Sequence, residues 1–141
     1  MFVDNRDDAR KFFVEVRQKY LNYEALEPLE GLILDVILSH PEYHQLLDKG
    51  TEAIAEDYFP AQGAVNPFLH MSMHIAIKEQ IQTDRPPGVR TECETLLKKY
   101  GDLHKMEHEV MTCLGESLWL AQRDNCMPDE RAYLESIKAL K

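Results

Sequence analysis

Fifteen residues, Asn66 to Gln80 (Asn-Pro-Phe-Leu-His-Met-Ser-Met-His-Ile-Ala-Ile-Lys-Glu-Gln), constrain the fold more than any other stretch of the chain. Asn66 has the side chain of a helix N-cap. Pro67 suits the first helical position, where a missing N–H goes unused. The two turns that follow are apolar on almost every side, and such a helix is stable in water only when other elements cover it. His70 and His74 lie four residues apart in this helix, about 40° apart on the face that Met73, Ile77 and Ile81 share. Two imidazoles on an apolar face are either a chelating pair or a hydrogen-bonded piece of core.

The segments available to cover that helix also read as helices. Asp4 caps the first, along which Ala9, Phe12, Phe13, Val16 and Tyr20 recur at helical spacing. Pro28 opens the second, with Leu29, Leu32, Ile33, Val36 and Ile37 as its apolar stripe. Pro41 breaks that helix, because the residue before a proline is pushed out of the α region, and starts a third that Gly50 ends. Thr51 caps a short helix to about Tyr58, and Phe59 to Gly63 is a loop. The central helix runs from Pro67 to about Gln82. After the Thr83–Gly88 loop, Cys93, Leu96, Leu97 and Tyr100 face inward until Gly101. Asp102 caps the longest helix, about Leu103 to Arg123, with Leu103, Met106, Val110, Leu114, Leu118 and Ala121 toward the core. Pro128 starts a last helix with Tyr133, Leu134, Ile137 and Leu140 inward.

No segment alternates apolar and polar residues at period two, and no Asn-Gly or Asp-Gly hairpin turn occurs. The pattern predicts an all-α fold, a compact helical bundle of about six or seven helices with no sheet. The 141 residues, 44% of them hydrophobic, are enough for one core, so residues 1–141 read as a single domain.

The formal charge of −9 argues against partners with an anionic backbone or surface, so neither nucleic acid nor membrane is expected. Cys93, Cys113 and Cys126 form no C-x-x-C and read as reduced thiols. The first residues turn charged at once, with no apolar run of the signal-peptide or membrane-spanning kind, and a cytoplasmic location is expected.

All six histidines fall into pairs with the same spacing: His40 and His44, His70 and His74, His104 and His108. Residues four apart on a helix have Cβ atoms about 5–6 Å apart, so both imidazoles can reach one ion. Nitrogen donors suit zinc, iron, nickel or copper over magnesium or calcium. His70/His74 is best placed, within a buried helix. His104/His108 flanks the core stripe with Glu107 between them, an inward carboxylate that needs a metal or a cation as partner. His40 sits at a cap beside Pro41, where helical geometry does not direct it, and this ranks the His40/His44 pair last.

The expected metal ligands are therefore His70, His74, His104, His108 and Glu107, with zinc or iron as the cofactor. Against this stands the plain alternative that each histidine is a hydrogen-bonded core or capping residue. His104 to His108 also matches H-x-x-E-H, which names Glu107 as a candidate base, although no edge strand is visible to hold a peptide. Met71, Met73, Met106 and Met111 read as core filler, and Cys113 as an inert thiol. Glu116 and Trp119 fall off the core stripe, toward another helix or a second subunit. Phosphate-loop, dinucleotide and serine-hydrolase motifs are absent.

Leu-Glu-Pro-Leu-Glu (26–30), His-Pro-Glu-Tyr-His (40–44), the Asn66–His74 segment, Asp-Arg-Pro-Pro-Gly (84–88) and Glu-His-Glu-Val-Met-Thr-Cys-Leu-Gly-Glu (107–116) run through nearly the whole chain. In these the chain resembles a family of small bacterial proteins catalogued as a domain of unknown function, DUF1841. The resemblance implies a bacterial, single-domain protein and carries over no activity, cofactor or site residue. Two functions are thus expected in competition. One is a helical metalloprotein: a hydrolase or oxidoreductase if a coordination position is open, or a protein with a structural metal if none is. The other is a non-enzymatic homodimeric interaction module whose histidines are structural.

Overall fold

The computed structural model describes residues 6–50, 52 and 66–141. These form seven α-helices and one 3-10 turn, with no strand among the described residues: α1 (Arg6–Leu21), α2 (Pro28–Leu38), the turn Pro41–Tyr43, α3 (His44–Leu47), α4 (Pro67–Thr83), α5 (Val89–Tyr100), α6 (Leu103–Arg123) and α7 (Glu130–Ala139). The all-α class read from periodicity is the class observed. The expected Asp4 cap and the 59–63 loop lie outside the described residues, as does the 51–58 helix apart from Glu52. No helix among the described residues is long and apolar enough to cross a membrane.

The chain divides into two compact units, 1–75 and 76–141, with the boundary inside α4. In the first, α1 packs on α2 and α3. Phe13, Val16, Ile33, Val36, Ile37, Leu47, Phe68, Met71 and Ile75 form its buried cluster, to which the first half of α4 contributes. Arg10 is also buried, its guanidinium 4.9 Å from the centre of the Phe68 ring. Glu30 ties two helices together: its carboxylate accepts from Lys19 Nζ of α1 at 2.7 Å and from the Glu27 N–H at the start of α2 at 2.9 Å. The Lys19 ammonium, and then the backbone donor, hold the Glu30 carboxyl below its ordinary range.

In the second unit, α5, α6 and α7 pack on one another. Ile77, Val89, Cys93, Leu96, Met106, Val110, Leu114 and Ile137 are buried there. The Tyr133 hydroxyl donates to Gln80 Oε1 at 2.7 Å, joining α7 to the second half of α4. Gly101 closes α5 in the left-handed conformation, φ 69°, and its N–H donates to the Leu97 carbonyl at 2.8 Å.

Three expectations need correction. The helix expected from Pro41 to Lys49 is a 3-10 turn followed by four residues of α-helix. The last helix starts at Glu130, because the Asp129 carboxylate caps the Ala132 N–H at 3.0 Å. Leu103 and Leu118, expected inward on α6, are each 47% exposed. Leu103 is the first residue after the cap. Leu118 ends a run of i+4 steps, and each such step drifts about 40° around the helix, so three steps carry it off the buried face. Met106, Val110, Cys113, Leu114 and Ala121 keep that face, with Val110 four and Cys113 seven residues after Met106, and Ala121 seven after Leu114. Tyr20 is likewise exposed at the end of α1.

Ile37 is fully buried in the first unit. Ile37→Ala is expected to lower stability by about 2–5 kcal/mol in denaturant titration; a loss within about 0.5 kcal/mol would contradict this packing.

Candidate metal centre

Helix α2 ends at Leu38, and His40 leaves the helical path at φ −127°, ψ 67° because Pro41 follows it. Its ring nonetheless turns back onto the helix it has left. His40 Nδ1 lies 2.7 Å from the Val36 carbonyl oxygen. A carbonyl can only accept, so Nδ1 carries a proton, and in the neutral ring Nε2 then holds the lone pair, which is the tautomer that ligates metal. His44 Nε2 donates in the same way to the Ile37 carbonyl at 2.7 Å. Two carbonyls of the last turn of α2 thus accept from imidazoles, and that of Ile37 also accepts from the His40 N–H at 3.0 Å.

Helix α4 is set in phase by its cap, since Asn66 Oδ1 accepts from the Phe68 and Leu69 N–H groups at 3.0 and 3.2 Å. One turn on, His70 and His74 face His40. The ring centres are 5.0 Å apart for His40 and His70, 4.7 Å for His40 and His74, and 4.9 Å for His70 and His74. His40 and His74 are buried, His70 half-buried. Tyr43 lies nearly parallel to the His40 ring, 7° between planes and 5.5 Å between centres.

Helix α6 presents the third pair. The Asp102 carboxylate accepts from the His104 N–H at 2.9 Å and the Lys105 N–H at 3.3 Å, which fixes the first turn. The His104 and His108 ring centres are 4.2 Å apart, and both residues are half-buried. Glu107, between them in sequence, is buried, and its Oε2 pairs with Lys78 Nζ at 2.8 Å. The inward carboxylate therefore has a cation beside it.

In the first unit His40 and His74 each offer one ring nitrogen, within 4.8 Å of each other, and in the second His104 and His108 do the same. In a tetrahedral zinc site with bonds of about 2.0–2.1 Å, the nitrogens stand about 3.4 Å apart. The donor set is purely imidazole and fits a transition metal rather than calcium or magnesium. Of the residues expected from sequence, His70 and His74 meet His40 in the first unit, and His104 and His108 pair in the second, where Glu107 lies against Lys78. His40 was ranked last because its cap position gave it no helical direction. The signal that could have raised it is a histidine placed to donate back to the carbonyl four residues before it.

Thiol chemistry has no foothold here. Burial pushes the Cys93 thiol up to about 11, and burial, then the charge of Glu116, pushes Cys113 up as well. Cys126 is exposed. At pH 8 one thiol of the three should react rapidly with a disulfide reagent in the native protein and all three in denaturant; rapid reaction of two or more native thiols would contradict the burial of Cys93 and Cys113.

These features define a protein that is helical among its described residues, with histidine groups that could hold a metal ion. The chain belongs to the family described as Domain of unknown function (DUF1841), whose model matches residues 5–139. No curated protein and no solved structure matches the chain.

Proposed function

We propose that this protein binds a transition-metal ion, zinc or iron, through imidazoles of His40, His70 and His74, with His104 and His108 as a second candidate pair. The observation that carries the reading is the mutual approach of the His40, His70 and His74 rings, whose centres are 5.0, 4.7 and 4.9 Å apart. The protonated Nδ1 of His40, anchored on the Val36 carbonyl, adds the outer support that metal-bound histidines commonly have. His70, half-buried against His40 and His74, completes a trio in the proposal. Glu107 belongs to it as the charge-balancing carboxylate, or as ligand or base where its pairing with Lys78 is exchanged.

The metal decides the chemistry. Three imidazoles leave zinc one open position, and a fourth protein ligand would close the shell and make zinc structural. A metal that takes six ligands keeps positions for water or substrate, and there a hydrolase or an oxidoreductase is supported. The reading treats residues 1–141 as one functional domain, supported by a family match that runs through both compact units. A reducing, cytoplasmic setting belongs to the same proposal and is supported by three free cysteines.

Protein purified without a nickel column should carry close to one zinc or iron per chain by elemental analysis. His74→Ala should lose most of it, and adding the metal at about 100 times its Kd should stabilise the wild type by about 2.7 kcal/mol. Less than about 0.2 metal per chain, with no thermal stabilisation on adding zinc or iron, would overturn the proposal.

A second reading, a non-enzymatic homodimer, draws on α6, where Leu118 and Trp119 are exposed side by side in sequence. Concentration-dependent light scattering from a metal-free protein would favour it; a metal-loaded monomer at all concentrations would remove it.

A further inference from the structure

The Pro41–Tyr43 turn does more than connect two helices. In a 3-10 turn three residues complete one revolution, so side chains at i and i+3 eclipse. The Tyr43 N–H donates to the His40 carbonyl at 3.0 Å, which closes that turn and lays the phenol ring along the imidazole. The same ring stands edge-on to His70, with centres 6.2 Å apart and planes at 76°. Tyr43 is therefore packed among the histidines of its own unit. Its phenol sits above its ordinary pKa, first through desolvation and then through the charge of Glu42.

We infer that Tyr43 is the positioning residue for His40: its stacked ring holds the imidazole plane in which Nδ1 meets the Val36 carbonyl and Nε2 is presented to a metal ion. His40 lies outside the helix, so helical packing does not choose its rotamer. A hydrogen bond from Nδ1 to Val36 fixes one point of the ring but leaves it able to pivot about that bond. A parallel face contact removes the pivot. Pro41 supplies the rest, since it forces His40 out of α2 and starts the turn that brings Tyr43 back over it. The string His-Pro-Glu-Tyr thus encodes a fixed ligand at a helix end, where loose geometry is the default. The inference deepens the metal-binding reading, but its structural part stands without a metal.

The test has two arms on the full chain. In the first, long-range 15N–1H spectra of the metal-free protein at pH 8 report the tautomer of His40. Wild type and Tyr43→Phe should show one Nδ1–H tautomer, and Tyr43→Ala an averaged one. In the second, zinc is titrated against a chromophoric chelator. Tyr43→Phe should bind within about 3-fold of wild type, and Tyr43→Ala about 10- to 100-fold more weakly, the range typical of groups that orient a ligand. Should Tyr43→Ala fail to fold by circular dichroism, Tyr43→Leu keeps the bulk without the aromatic face and is expected to behave as the alanine variant does.

Unchanged tautomer and unchanged zinc affinity in the alanine or leucine variant would overturn the inference while leaving metal binding intact. Loss of both in Tyr43→Phe would also overturn it, by assigning the work to the hydroxyl. Absence of zinc binding in the wild type would sink the metal reading, and the tautomer arm would still decide the role of Tyr43.

Discussion

An imidazole removed from water needs a hydrogen-bond donor or acceptor, or a metal, at each ring nitrogen, and the histidine region is organised by that requirement. Burying an amide-sized polar group without compensation costs about 1–3 kcal/mol by mutational measure. The molecule answers with the loose end of a helix. The last carbonyls of a helix have no i+4 N–H to accept from, and His40 and His44 donate to two of those of α2, of which Ile37 also holds the His40 N–H. One interaction satisfies the helix terminus and fixes an imidazole tautomer. That leaves Nε2 of His40 as the basic nitrogen, in a buried place beside His70 and His74.

The same economy appears with the charged groups. Glu107 is a carboxylate on the buried face of α6, and the Lys78 ammonium reaches it from the second half of α4. Glu30 plays the corresponding part in the first unit, joining Lys19 of α1 to the first turn of α2. A buried carboxylate paired with lysine adds no net charge. It is a better neighbour for neutral imidazoles than an isolated anion, which would favour their protonation over metal binding.

Much of this was legible in the sequence because helices announce themselves. The Asn66 and Asp102 caps, the Gly101 stop and the apolar spacing of α2 and α4 follow local rules and hold in the structure. The histidine spacing showed which imidazoles share a helix face, and 4.9 and 4.2 Å between ring centres on α4 and α6 reflect it. What escaped was set by less regular backbone. His40 joins the group through a turn whose rotation is three residues rather than 3.6 per revolution, and periodicity arguments built on α-helices do not describe it. Leu118 was misplaced for a related reason: the four-residue step approximates the helical repeat over one turn and fails over three. Lys78 as partner to Glu107 joins residues 29 apart in sequence, and spacing within one helix says nothing of such pairs.

The central claim is that the histidine group is a coordination shell. X-ray absorption at the metal edge of the zinc-loaded protein reads that shell directly. The account predicts nitrogen scatterers at about 2.0–2.1 Å with the outer-shell pattern of at least three imidazoles, and no sulfur at about 2.3 Å. A shell of oxygen alone, or one containing cysteine sulfur, would contradict it.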